Sequence, residues 1–393
     1  MPERGVLRVL FVNTGILGHA SVARLVRRAV EGDAGVEAVH LDLAERLTAG
    51  ERVLRRLMTL GPRPGSRGGA LSAARFRHEL HAGVAAARRI AALEARAGAF
   101  DVIHFHPQPA AWGSLRRMRA TPSIVSIDAT QRLASAEAPD RLRRLEYAPN
   151  ARRDRAVFRR AAAIVATSRW AAADLERGQP GCAGRVRVIP YPVDLARFDA
   201  GWVEARRARD PVAPVRFLFV GGDFARKGGP ELLRAWREGG FAGRAALTLV
   251  TDAPLAPAEL PPGVEVVRGV RAYTGAWISL WRAADAFVMP TRGEAFGMVF
   301  QEAAAAGLPA VGTALNAVPE IVADGETGIL VPPGDAGAVA RAMASLLSPA
   351  LRARMGAEAR RRIAASGSIE AYGRRLGALV REVAGAPPST PAA

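Results

Sequence analysis

The sequence predicts an α/β protein built from two doubly wound, Rossmann-like domains. Short apolar runs alternate with helical patterns through both halves of the chain, which is typical of parallel sheets covered by helices. Near the middle, at 200–214, Arg, Asp and Pro cluster and the apolar periodicity stops. The 393 residues are enough for two domains of roughly 150–200 residues each. Because open α/β sheets bind ligands at the carboxyl ends of their strands, we expect the site in a cleft between the domains.

Each half contains a series of short apolar runs that we predict to be buried strands. In the first half they are Leu7–Val12, Val36–Leu41, Val102–Phe105, Ile124–Ile127, Ala163–Ala166 and Val186–Ile189. In the second half they are Val215–Val220, Ala246–Val250, Val264–Val267, Ala286–Met289, Ala310–Val311 and Ile329–Val331. We therefore predict domains at 1–205 and 206–368. A last helix at 369–384 is expected to pack back towards the N-terminal domain, and the composition of the tail 385–393 predicts disorder.

Composition narrows the class of protein. Hydrophobic residues make up 49% and charged residues 23% of the chain, as in soluble globular proteins. No apolar run reaches the roughly 18 residues of a membrane span, and the N-terminus lacks the ordered regions of a secretion signal. One cysteine, Cys182, excludes an internal disulfide and a cysteine-rich metal cluster. These features predict a cytoplasmic protein.

The net charge of +18 is unevenly distributed. Arginine is dense at Arg52–Arg96, Arg116–Arg119 and Arg141–Arg160, all in the first half. Three interpretations remain open: an anionic acceptor, an inner membrane face on which the segments around the loop Gly61–Gly69 lie, and an Arg-biased composition on solvated helices. No RNP-type aromatic pattern, zinc finger or basic-zipper heptad is present, so nucleic acid is not an expected partner.

The chain has one lysine, Lys227, among its 55 Lys and Arg residues. Lys227 lies in the Gly-rich segment 221–229, between the predicted strand Val215–Val220 and a predicted helix at Pro230–Glu238. Such a turn presents backbone N–H groups to an anion, and the helix N-terminus adds a favourable dipole. A compact ammonium at this place suits phosphate. The competing interpretation is an ordinary surface lysine.

A second segment, Pro290–Ala303, carries two carboxylates. It follows the predicted strand Ala286–Met289, with Glu294 in the loop and Glu302 about one turn inside the next helix. The start of that helix offers N–H groups suited to a diphosphate or to sugar hydroxyls. Each carboxylate accepts several hydrogen bonds and so suits the hydroxyl pairs of ribose or hexose.

Together these motifs resemble the retaining glycosyltransferases of family 4, which are GT-B enzymes that use nucleotide sugars. The resemblance covers nearly the whole chain. It rests on Glu294 and Glu302, on Lys227-Gly228, on Val188-Ile189-Pro190 with Val193-Asp194 and Phe198, and on Val318-Pro319-Glu320-Ile321-Val322 followed by Asp324-Gly325 and Thr327-Gly328.

The resemblance implies an activity and a role for each matching residue. A hexose would move from a nucleotide-diphosphate sugar to an acceptor hydroxyl with retention of configuration (EC 2.4), in a GT-B fold whose domains face a central cleft. Lys227 would bind the diphosphate, Glu302 the ribose and Glu294 the donor sugar, with His106 facing that sugar. The donor would also meet Gly18 and the backbone of Phe296, Gly297, Met298 and Val299, while His19 and Asp128 would lie on the acceptor side.

The sequence departs from the family pattern at three places. The family usually has an Arg five residues before the lysine, where this chain has Gly222; the adjacent Arg226 is the candidate replacement. The N-terminal loop reads Gly18-His19 where a Gly pair is common, and Asp128 stands where many relatives have His. These differences bear on the acceptor and on the surroundings of the phosphate.

The charges predict how the reaction is catalysed. Negative charge grows on the departing β-phosphate, and Lys227, Arg226 and a helix N-terminus would stabilise it. The chain has no Asp-x-Asp motif in a strand-end loop, so we expect neither an essential metal ion nor another cofactor. Two other interpretations of the same residues remain: a catalytically impaired GT-B binding protein and a nucleotide-sugar epimerase.

Overall fold

The protein folds as two compact units. The computed structural model describes residues 6–15, 19–44, 56, 73–138, 140–207 and 213–385. The first unit contains the described residues up to Pro192 together with the C-terminal helix that starts at Ile369, and the second unit is Val193–Ser368.

The first unit is built on a parallel sheet of six strands in the order β2-β1-β3-β4-β5-β6. The strands are β1 (Leu7–Asn13), β2 (Val36–Asp42), β3 (Val102–His106), β4 (Ser123–Ile127), β5 (Ala163–Ala166) and β6 (Val186–Val188). Strands β3, β4 and β5 are buried along their whole length, as expected of a parallel sheet covered on both faces. All six predicted strands of the first half are confirmed.

Eight α-helices of the described residues belong to the first unit. They are α1 (His19–Val30), α2 (Ala74–Ala97), α3 (Arg117–Ala120), α4 (Gln131–Ala136), α5 (Arg141–Leu145), α6 (Ala148–Arg160), α7 (Arg169–Gly178) and α15 (Ile369–Gly385). The C-terminal helix α15 packs on α1, β3 and β4. No helix within the described ranges has the length and apolarity needed to cross a bilayer.

The second unit repeats the architecture with the strand order β12-β11-β10-β7-β8-β9. Its parallel strands are β7 (Val215–Val220), β8 (Ala245–Val250), β9 (Val264–Val267), β10 (Ala286–Met289), β11 (Ala310–Thr313) and β12 (Gly328–Val331). Read outward from β9, this is the order 3-2-1-4-5-6 of a Rossmann sheet. The six strands predicted for the second half are confirmed.

Seven α-helices of the described residues belong to the second unit. They are α8 (Gly201–Arg207), α9 (Gly229–Glu238), α10 (Gly275–Ala283), α11 (Met298–Ala305), α12 (Val318–Ile321), α13 (Ala336–Ser345) and α14 (Pro349–Ser366). An aromatic cluster forms part of the core, with Phe198, Trp277, Trp281 and Phe287 buried.

The structure divides the chain between Pro192 and Val193, whereas the sequence placed the boundary after residue 205. Phe198 and Trp202 are the reason for the difference, because both bury their rings in the core of the second unit. Helix α8 also packs on α14 of the same unit. The cluster of Arg, Asp and Pro that suggested a linker therefore follows a segment that already belongs to the second unit.

Both sheets contain a point at which the strand order reverses. In the first sheet it lies between β1 and β3, and in the second between β7 and β10. The connections leave neighbouring strands in opposite directions there, which opens a crevice at the carboxyl ends of the strands. Of the residues that the sequence singled out, Lys227 follows β7, Glu294 follows β10, and His106 is the last residue of β3.

Gly228 allows the two loops of the second crevice to approach each other. Its φ is +80°, and a Cβ at this position would overlap the backbone carbonyl of Pro290, which follows β10. Any side chain would therefore strain the backbone and push the loops apart.

We expect Gly228→Ala to destabilise the protein more than Gly325→Ala does. Gly325 has a similar φ of +74° but no atom within 4 Å of an added Cβ, so its substitution costs only the left-handed backbone strain, about 1–2 kcal/mol. Gly228→Ala adds the clash, for which we expect about 2 kcal/mol more. Urea unfolding of both variants measures the difference, and equal losses would contradict the close approach.

Candidate functional site

Two loops meet at the crevice of the second unit. The loop after β7 contains Lys227, and the loop after β10 contains Glu294. The Arg292 N–H donates to the carbonyl of Arg226 at 2.8 Å, and the buried hydroxyl of Thr291 donates to the same carbonyl at 3.2 Å. The two loops are thus one hydrogen-bonded structure.

Lys227 and Glu294 form an ion pair across the crevice. Their side chains are only 14% and 13% exposed, so water screens the pair less than it would at an open surface. The backbone of Glu294 is held by Asn316, whose Nδ2 donates to the Glu294 carbonyl at 3.1 Å. The site therefore presents a partly buried cation beside a partly buried anion, the two charges needed to bind a phosphate and a polyol.

The side chain of Arg226 links the two loops through hydrogen bonds. Its Nη1 donates to the carbonyl of Gly293 at 2.7 Å, and its Nε lies 3.1 Å from Asp223 Oδ2. The side chain is 44% exposed. At Gly222, where the family has an arginine, a Cβ would meet nothing within 4 Å. The position has room for a larger side chain that this chain does not supply.

Helix α11 begins beside the ion pair. Gly297 is its N-cap with φ +98°, and Met298 and Val299 are its first residues. The first N–H groups of any helix lack intrahelical acceptors, so this turn is suited to anions and hydroxyls. Phe296 is buried and anchors the turn.

Glu302 is buried one turn into α11 and is 8% exposed. Its Oε1 accepts a hydrogen bond of 2.7 Å from the hydroxyl of Tyr273. Burial raises the pKa of Glu302 to about 7, although the Tyr273 hydrogen bond acts in the opposite direction. A carboxyl poised near neutrality can take the ionised form when a ligand supplies hydrogen-bond donors.

The crevice of the first unit brings Asn13 and His106 together. They are the last residues of β1 and β3 and stand opposite each other in the sheet register. Asn13 Oδ1 accepts from the Gly15 N–H at 2.7 Å, which directs its Nδ2 to His106 Nδ1 at 3.0 Å. Since an amide nitrogen only donates, we assign the ring hydrogen of His106 to Nε2. Nε2 lies 2.6 Å from the hydroxyl of Tyr191.

Two other first-unit residues that the sequence singled out, His104 and Asp128, are among the described residues. His104 is buried and lies 2.6 Å from Ser126 Oγ, and burial, with a smaller effect of His40, lowers its pKa to about 4. Asp128 follows β4, and its charge, after burial, raises the pKa of Tyr191 further. Gly18 and the side chain of His19 lie outside the described residues.

Four residues of these sites were not predicted from the sequence: Asn13, Tyr191, Tyr273 and Asn316. Each contacts a predicted residue that is distant in the chain, so no local spacing identifies it. Asn13 carried one usable signal, because it ends the first strand and strand ends are where ligands bind. Among the described residues no group of three or more His, Cys, Asp or Glu is placed to hold a metal ion.

Two family models match the chain, one in each half. The model described as Glycosyltransferase Family 4 matches residues 33–197, and the model described as Glycosyl transferases group 1 matches residues 214–349. The second match contains Lys227, Glu294 and Glu302.

The chain is also similar to curated proteins. A D-inositol 3-phosphate glycosyltransferase of Salinispora arenicola is 30% identical over 324 residues, which cover 72% of this chain and 70% of the relative. Five further D-inositol 3-phosphate glycosyltransferases match over 18–47% of their own length. The chain thus spans half or less of each of those five.

Solved structures share the fold over nearly the whole chain. A sucrose-phosphate synthase from Thermosynechococcus elongatus superposes with a TM-score of 0.72 at 20% identity, covering 96% of this chain and 99% of the other. An Anabaena protein solved with UDP-glucose has a TM-score of 0.65 at 15% identity, with 96% and 100% covered. These likenesses show the two-domain α/β fold called GT-B.

We expect Glu302→Gln to stabilise the ligand-free protein in a pH-dependent way. A carboxyl whose pKa rises from 4.5 to about 7 on folding holds its proton more tightly in the native state. Folding stability is then highest below about pH 4.5 and falls as the pH rises to about 7, by about 3 kcal/mol in total. Glutamine does not ionise, so the variant avoids this loss.

Urea unfolding of both proteins at pH 5 and pH 8 measures this effect. The advantage of the variant should grow between the two values, by about 2 to 3 kcal/mol. If the variant has the same stability advantage at both pH values, the pKa of the Glu302 carboxyl is not raised in the folded protein.

Proposed function

This chain belongs to the group 1 glycosyl transferases of glycosyltransferase family 4, and from that membership we propose that it moves a hexose from a UDP-sugar to an acceptor hydroxyl with retention of configuration. The observation that carries the proposal is the Lys227–Glu294 pair at the switch point of the second sheet. The UDP-glucose bound by an Anabaena protein of the same fold supports the choice of donor.

The second unit supplies the donor site. Lys227 binds the β-phosphate, and the N–H groups of the turn Phe296–Val299 contact the phosphate and sugar hydroxyls. Glu294 binds the sugar hydroxyls and Glu302 the ribose diol. Binding of the diphosphate exchanges one anionic partner of Lys227, the Glu294 carboxylate, for another, and so releases Glu294 to accept from the sugar.

The chemistry breaks the bond between the anomeric carbon and the β-phosphate oxygen and forms a bond from the acceptor oxygen to the same carbon. The acceptor attacks on the face from which UDP leaves, and its proton passes to the departing phosphate. Lys227 and the start of α11 stabilise the negative charge as it develops. Arg226, held between Asp223 and the Gly293 carbonyl, keeps the loop that carries Glu294 in place and adds positive charge nearby.

We propose that the first unit binds the acceptor at its own switch point, close to His106 and Asp128. The acceptor class is a phosphorylated polyol. This choice is supported by the curated relatives, which are inositol 3-phosphate glycosyltransferases by name, and by the +18 charge of the chain. An anionic membrane surface is the other source of a phosphate-bearing acceptor.

A transfer assay tests the proposal. Purified protein is incubated with radiolabelled UDP-glucose or UDP-N-acetylglucosamine and a panel of inositol phosphates, inositol and anionic vesicles. Labelled product formed with a phosphorylated polyol and not with inositol supports the acceptor class, and product in the vesicles assigns a lipid acceptor. The absence of transfer and of UDP release with every acceptor, in a folded protein that binds UDP, would identify a binding protein instead.

We expect Lys227→Ala to lower kcat by two orders of magnitude or more, because one preorganised charge that stabilises the transition state contributes about 3 kcal/mol. Arg234→Ala is the matched control, since it removes one positive charge from the exposed side of α9, where Arg234 contacts the Gly334 carbonyl. Steady-state kinetics of both variants gives the comparison. Near-normal turnover by folded Lys227→Ala would remove Lys227 from the mechanism.

Transfer should continue in EDTA. The sequence has no Asp-x-Asp motif, and Lys227 supplies the charge that a metal ion would otherwise bring to the diphosphate. The measurement compares initial rates before and after exhaustive chelation. A complete loss that Mg²⁺ restores would contradict the expectation.

A further inference from the structure

Tyr273 has an unusual backbone conformation for a large side chain. Its φ is +68°, in the left-handed region, directly before Thr274, which caps α10. A non-glycine residue there costs about 1–2 kcal/mol. Such strain persists only where surrounding contacts hold it, and it concentrates at functional sites.

Contacts on two sides hold Tyr273 in this conformation. The guanidinium of Arg197 lies 5.4 Å from the ring centroid, and its Nη1 donates to the Tyr273 carbonyl at 3.2 Å. Arg197 is itself fixed by the buried carboxylate of Asp194, with Nε to Oδ2 at 2.6 Å. The indole of Trp277 packs against the ring at a centroid distance of 4.9 Å.

These contacts direct the Tyr273 hydroxyl towards Glu302. The Tyr273 hydroxyl donates to Glu302 Oε1 at 2.7 Å. Within the described part of the chain, this is the only hydrogen bond of the Glu302 side chain. A carboxylate has about four lone-pair sites, so one bond fixes its rotamer and leaves capacity for a diol.

We propose that Tyr273 is a positioning residue for nucleotide binding, which uses its strained, clamped backbone to hold the Glu302 carboxylate in place for the ribose hydroxyls. The inference rests on the proposed function, and specifically on Glu302 as the ribose ligand. It adds a part that acts through Glu302 and that the sequence motifs do not contain.

The hydrogen bond has an electrostatic consequence that distinguishes positioning from simple packing. A donated O–H favours the ionised carboxylate, against the burial that favours the protonated form. The charged groups on helices next to α11 include Arg360 of α14 and Arg206 of α8, which donate to the carbonyls of Ala305 and Ala306 at its C-terminal end. Glu320 lies on α12. None of the three is among the causes of the raised Glu302 pKa.

The test measures UDP affinity by calorimetry between pH 5.5 and 9 for wild type, Tyr273→Phe and Glu302→Gln. Tyr273→Phe keeps the ring and its contacts and removes only the hydroxyl. We expect about tenfold weaker binding at pH 7, the order of magnitude for a lost hydrogen bond to a charged group. The pH midpoint of binding should move upward, so that part of the affinity returns at pH 9, while the part due to the lost positioning of the carboxylate stays lost. Glu302→Gln should stay weak at every pH.

Tyr372→Phe is the matched control, because it removes a tyrosine hydroxyl that is also buried but lies on α15 of the first unit. A second variant, Arg197→Lys, keeps the positive charge beside Asp194 and removes the planar group over the ring. It should weaken UDP binding in the same direction by a smaller factor, and it serves if Tyr273→Phe does not fold.

Two outcomes would overturn the inference. If wild type binds UDP and Tyr273→Phe matches it in affinity and pH midpoint, Tyr273 does not position Glu302 and the proposed function stands. If wild type and Glu302→Gln bind UDP equally, Glu302 is not the ribose ligand, and both the inference and that part of the proposed function fail.

Discussion

The ion pair between Lys227 and Glu294 joins the two loops at the switch point of the second sheet. Both loops approach closely because Gly228 leaves room for the Pro290 carbonyl, and backbone and Arg226 hydrogen bonds then tie them together. The pair is mostly shielded from water, so either charge alone would be costly to leave unmatched. The two residues that we propose to bind the diphosphate and the sugar are therefore paired with each other in the ligand-free protein.

The proposed donor binding exchanges partners at residues that are already paired in the free protein. A diphosphate would replace one carboxylate as the partner of Lys227, and the sugar hydroxyls would give Glu294 new donors. Hydrogen-bond donors of the ribose would likewise offset the burial that raises the pKa of Glu302 to about 7. In the first unit the chain Asn13–His106–Tyr191 is likewise fully hydrogen-bonded along its length. Preorganised polar groups of this kind lower the cost of ordering a site when the ligand arrives.

The periodicity of the sequence was sufficient to predict the fold. Buried parallel strands appear as short apolar runs, and these can be recognised without knowing which strands pair. The places of Lys227, Glu294 and Glu302 in the fold were also predictable, since a strand, a loop and a helix follow one another directly there. Tyr273 and Tyr191 were not, because they reach Glu302 and His106 across the fold. The direction of the Arg226 side chain was not predictable either, because it depends on a hydrogen bond to the carbonyl of Gly293 in another loop. The boundary after Pro192 depended on where Phe198 and Trp202 bury their rings, which composition does not report.

The most direct test uses the fact that Lys227 is the only lysine of the chain. Protein labelled with ¹⁵N-lysine and carrying a lysine-free tag gives a single side-chain ammonium resonance. We expect Glu294→Gln to shift this resonance in the free protein. Titration of the wild type with UDP should also shift it saturably, with the Kd that calorimetry gives. A resonance that stays unchanged while calorimetry records UDP binding would show that the diphosphate binds away from Lys227, which is the opposite of what we propose.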